Sequence, residues 1–80
     1  MIHAREDYMR IQDPSGIIPQ GEPVLLLRGQ DICAPETLRF YADFNESQGG
    51  DPEISRQIRE HANEMTRWQN EVKVKVADLP

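Results

Sequence analysis

Eighty residues, 38% hydrophobic and 29% charged, with a net charge of −5, describe one small acidic domain with little material for a core. A chain this short buries only about 60% of its unfolded surface, so a disulfide, a metal or a partner subunit usually adds stability. The single cysteine, Cys33, excludes an intrachain disulfide, and no Cys/His cluster has zinc spacing. The excess of 14 acidic over 9 basic side chains argues against a long nucleic acid as partner. Self-association is the remaining stabiliser, and a homo-oligomer is expected. The longest apolar run, Val24 to Leu27, is too short for a membrane span, and the N-terminus has no apolar signal segment, so the expected location is the cytoplasm.

Residues 1–12 suit a short helix or an extended arm equally. Asp13-Pro14-Ser15-Gly16 is a turn, with Asp at the first corner, Pro presetting φ and Gly closing. Pro19 and Pro23 deny helix to the next segment, whose Ile17 and Ile18 are expected to staple it onto the core. Val24–Arg28, bounded by Pro23 and Gly29, reads as a short buried strand. A first helix is expected over about 35–47, with Pro35 in its first turn and Gly49-Gly50 as its stop.

A second helix is expected over about 52–71, with Asp51 as N-cap and Pro52 at its first position. Ile54, Ile58, His61, Met65, Trp68 and Val72 recur at spacings of 4, 3, 4, 3 and 4, a heptad seam expected to bury Trp68. The intervening Gly-Gly-Asp-Pro loop makes the two helices an antiparallel hairpin. The tail Val72-Lys73-Val74-Lys75-Val76 alternates like a strand with its valines inward, either paired with 24–28 or left extended. The fold class is therefore mainly α: a hairpin, an ordered N-terminal loop, and one or two short strands near 24–28 and 72–76. The whole of 1–80 reads as one domain, with an arm and loop over 1–23 and a core over 24–80.

The first helix is apolar over about 200° of its circumference, more than one packed neighbour covers, so either the N-terminal arm and strand or another subunit covers the rest. Leu38, Phe40 and Phe44 are the expected oligomer interface. No nucleophile elbow, phosphate-cradling glycine motif or catalytic carboxylate pair is present, so no enzyme, cofactor or metal is expected. His61 lies in the seam and reads as a packed structural histidine, and Cys33 as a small hydrophobe beside Ile32. Arg28-Gly29-Gln30-Asp31 is the segment suited to a ligand. Arg28 can pair an anion, and Gln30 and Asp31 can read the edge of a base or amide, with Tyr8 and Tyr41 available for stacking. The alternative for the same residues is an internal Arg28–Asp31 salt bridge.

The string Glu22-Pro23-Val24-Leu25-Leu26-Leu27-Arg28-Gly29-Gln30-Asp31, with Ile18-Pro19 before it and Ala34-Pro35 after it, resembles a group of short proteins encoded by phages, prophages and bacteria. The resemblance extends over 18 to about 68, through His61-Ala62, Met65 and Trp68. It brings no catalytic signature, and the group carries no assigned reaction. It implies a phage origin, action in the host cytoplasm, and a role against host defence. The expected function is an oligomeric, non-enzymatic binder that sequesters a small anionic ligand such as a cyclic nucleotide. The alternatives are an inhibitor that binds a host defence protein through its acidic surface, and a structural or regulatory accessory subunit of a phage.

Overall fold

The first helix, α1, runs Ala34–Ser47, with Pro35 in its opening turn and no side-chain cap from Cys33. The carboxylate of Asp31 instead accepts from the Cys33 N–H at 2.9 Å, and Thr37 Oγ1 donates back to the Cys33 carbonyl at 2.7 Å. Gly49, at φ 77°, ends the helix in the left-handed region, where a residue without Cβ is unstrained. The second helix, α2, runs Pro52–Glu71, and its Asp51 cap accepts from the Glu53 N–H. The helices pack as an antiparallel hairpin in a computed structural model that describes residues 1–5 and 13–78.

The line of contact between the helices is made by small residues. Ala42 of α1 and Ser55 and Ala62 of α2 are fully buried, and Met65 is 8% exposed. Small side chains let the helix backbones approach, and a buried polar bond fixes their register. Ser55 Oγ donates to the Ala42 carbonyl at 3.0 Å, and Asn45 Nδ2 donates to Ser55 Oγ at 2.9 Å. The heptad series is therefore not the helix–helix seam. The contact line lies about one residue round, and Ile54, His61, Trp68 and Val72 turn outward. Trp68 is 51% exposed rather than a core anchor.

The two faces of the hairpin differ in chemistry. On one, Arg59 bridges to Asp43 at 2.8 Å and to Glu46 at 2.7 Å, and Arg39 reaches Asn63 and Thr66. On the other, Leu38 and Tyr41 of α1 stand beside Ile58 of α2 with Leu25 and Leu27 next to them, while Leu27 and Gly29 lie beside Met65 and Trp68 of α2.

The strands are shorter than the apolar run suggested. β1 (Ile2–His3) and β2 (Pro23–Val24) pair in parallel, Ile2 opposite Pro23 and His3 opposite Val24. Leu25 is exposed and Leu26 and Leu27 are half-buried, and among the described residues the ladder ends at Val24. Residues 72–76 do not pair with 24–28. Lys75 instead forms a parallel bridge with Asp31: its N–H donates to the Gln30 carbonyl at 2.9 Å, and its carbonyl accepts from the Ile32 N–H. The expected alternation is reversed there, with Val72, Val74 and Val76 exposed and Lys75 half-buried.

The 13–16 turn forms as expected. Asp13 accepts from the N–H groups of Ile17 and Ile18, and Gly16 takes φ 63°. Ile17 is exposed and only Ile18 is half-buried, so the staple rests on one isoleucine. Among the described residues, no helix is long and apolar enough to cross a membrane.

Candidate functional site

Two grooves share the Leu27 wall on the apolar face. The larger, about 430 Å³, is bounded by Leu25, Leu27, Thr37, Leu38, Tyr41 and Ile58 and is almost wholly apolar. The smaller, about 270 Å³, lies between Leu27-Gly29 and the α2 residues His61, Glu64, Met65 and Trp68. Its polar groups are at the rim, where His61 Nδ1 and Glu64 Oε2 stand 3.9 Å apart, both well exposed. His61 is thus a surface residue beside a groove, not a packed histidine of a seam.

Gly29 forms the wall facing Trp68. A Cβ at this position would lie 3.8 Å from Met65 Cγ and 3.8 Å from Trp68 Cδ1, so a methyl group there would just reach van der Waals contact with the indole. The segment is held there by Gln69, whose Nε2 donates to the Gly29 carbonyl at 3.0 Å and to the Asp31 carbonyl at 2.7 Å. With the Lys75 bridge, this clamps residues 29–32 between α2 and the tail. Gln69 was not legible as a site residue from sequence. Its one signal is an amide on the inner line of α2, four residues after Met65.

The sequence-derived candidates take separate places. Arg28 is exposed, and among the described residues its side chain has no hydrogen bond or ion pair; in particular it does not bridge to Asp31. Asp31 is occupied by the Cys33 N–H, and the backbone of Gln30 by Lys75. Tyr41 stands in the larger groove, away from Trp68, and Tyr8 lies outside the described residues. Phe40 and Phe44 stack on each other, centroids 6.1 Å apart, on the side of α1 turned away from α2. Cys33 is exposed, as is Ile32 beside it, so the cysteine is not a buried hydrophobe.

No group of three or more His, Cys, Asp or Glu side chains among the described residues is placed to hold a metal ion. No family model, curated protein or solved structure matches the chain.

Proposed function

We propose that the chain is a non-enzymatic binding protein that captures a small anionic, ring-bearing ligand of the nucleotide class in the Leu27–Trp68 groove. One arrangement supports this reading. An indole half open to solvent faces Gly29, and Arg28, adjacent to it in sequence though not a lining residue of the groove, has a guanidinium with no partner among the described residues. An exposed indole stacks a base, and a free guanidinium pairs a phosphate through its planar fork, each worth roughly 1–3 kcal/mol in such sites. The resemblance to phage-encoded chains supplies the setting, in which capture of a nucleotide signal would blunt a host defence.

The test is titration calorimetry against a panel of cyclic and linear nucleotides, with inorganic phosphate as the minimal anion. A nucleotide is expected to bind, and Arg28→Ala and Trp68→Ala should each abolish the heat. Arg28→Ala should leave melting nearly unchanged, because an exposed, unpaired side chain contributes within about 0.5 kcal/mol. Trp68→Ala should cost roughly 1–2 kcal/mol, below the 3–5 kcal/mol of a fully buried tryptophan. Absence of heat with every nucleotide would reject the reading.

A further inference from the structure

We infer that Glu64 selects the base of the ligand, and that the base it selects is guanine. The inference rests on the nucleotide reading above and names the ring that the Leu27–Trp68 groove takes. Glu64 and Trp68 both border that groove, and they stand four residues apart on α2. Residues at this spacing are neighbours on one helix face, with about 5–6 Å between their Cβ atoms. A ring laid on the open part of the indole therefore brings its edge within reach of the carboxylate. The indole meets the face of the base and Glu64 its edge.

The carboxylate is free to accept. His61 Nδ1 stands 3.9 Å from Glu64 Oε2, beyond hydrogen-bond range, and the Glu64 side chain has no other polar partner among the described residues. The Gly29 carbonyl, by contrast, already accepts from Gln69 Nε2. An ionised carboxylate only accepts, and its two oxygens suit a pair of parallel donors. Guanine carries that pair, with N1–H and the N2 amino group side by side on one edge. Adenine sets its N6 amino group beside the N1 lone pair, and cytosine its N4 amino group beside N3. Uracil flanks a single N–H with two carbonyl oxygens. Each of these turns a lone pair towards a carboxylate oxygen, which repels it.

Size and charge agree. At about 270 Å³ the groove is smaller than the roughly 300–1,000 Å³ of pockets that enclose whole ligands, so it takes one base and leaves sugar and phosphate outside. The negative charge of Glu64 repels the phosphate from this end of the groove and so turns the base edge inward.

Titration calorimetry of the full chain with guanosine, inosine and adenosine monophosphates tests this. Inosine monophosphate differs from the guanine nucleotide only in lacking the N2 amino group. The guanine nucleotide is expected to bind about tenfold more tightly than either of the others, a modest margin because Glu64 is 67% exposed and water competes for its oxygens. Glu64→Gln keeps the length and helix preference of the side chain but puts a donor in place of one acceptor, so circular dichroism should not change. It should abolish the preference for guanosine over inosine monophosphate, whereas a purely structural loss would weaken both alike. Equal affinity for the three nucleotides, or a guanine preference that survives Glu64→Gln, overturns this inference and leaves the nucleotide reading standing. No heat with any of the three overturns it as well, and the wider nucleotide panel then decides the reading on which it rests.

Discussion

Asn45 shows how much of this small fold depends on single polar side chains. Its amide donates to Ser55 Oγ and, at 3.3 Å, to the Asp51 carbonyl, tying the end of α1 to the start of α2. Gly50 leaves the room for it: a Cβ there would fall 2.0 Å from Asn45 Oδ1. Gly50→Ala should therefore drive the amide off both partners and cost about 1–3 kcal/mol, the range for half-buried polar groups left unpaired. Urea unfolding measures the loss. Asn45→Ala added to Gly50→Ala removes the clash, so the pair should cost less than the sum of the single changes. At this scale the sequence signalled caps and stops well, because Asp51, Pro52 and Gly49 act on their immediate neighbours. It signalled Trp68 poorly, since burial of a large side chain depends on what lies across from it.

The helices carry their charge in short-range pairs whose acid response has a definite sign. Arg56 grips Glu53 one turn before it and Glu60 one turn after it. The hydrogen bond from Arg56 holds the Glu53 carboxyl down at about 2, against an ordinary 4.5, and the Arg59 hydrogen bond lowers Glu46 in the same direction. A carboxyl lowered on folding contributes stability that is present above its unfolded pKa and is lost as pH falls through the folded value. For Glu53 the loss should therefore fall between about pH 4.5 and 2. Carboxyl chemical shifts followed through an acid titration should place Glu53 near 2, and Arg56→Gln should return it towards 4.5. If Glu53 titrates alike in both proteins, the pairing is absent in solution. These exposed pairs are screened by solvent and stabilise little individually, but Arg59 reaches from α2 to two acids of α1 and so also orients the hairpin.

At the scale of the whole molecule, the described residues form one helical hairpin that leaves Phe40 and Phe44 exposed at 71% and 56%, the surface on which the sequence places self-association. A chain stabilised by docking on a second copy melts at a temperature that rises with its concentration, since dissociation accompanies unfolding. Thermal scans across a hundredfold dilution series should show this rise for the natural sequence and none for Phe44→Glu. A melting temperature independent of concentration in both would leave the hairpin to stand alone.

Both helices, their limits and their antiparallel pairing were legible in the amino-acid sequence. Proline positions, the Asp51 cap and the Gly49-Gly50 stop act through the adjacent backbone, and 3.6-residue periodicity survives without tertiary information. The polar string at 28–31 was visible between an apolar run and a helix, but that Asp31 accepts from the Cys33 N–H and the Gln30 carbonyl from the Lys75 N–H was not. Which stripe of α2 faces α1 was decided only by tertiary structure. Ser55 and Ala62 were passed over for the bulkier heptad, yet close approach of two helices selects the smallest side chains. The pairing of 2–3 with 23–24 and of Lys75 with Asp31 was likewise not encoded locally. Two-residue ladders leave no periodic trace, and their partners are chosen by where the hairpin brings the chain. The groove beside Trp68 has the same origin: Gly29 and Trp68 are distant in sequence, and Gln69 brings them together by clamping two carbonyls of a loop that has no regular structure of its own.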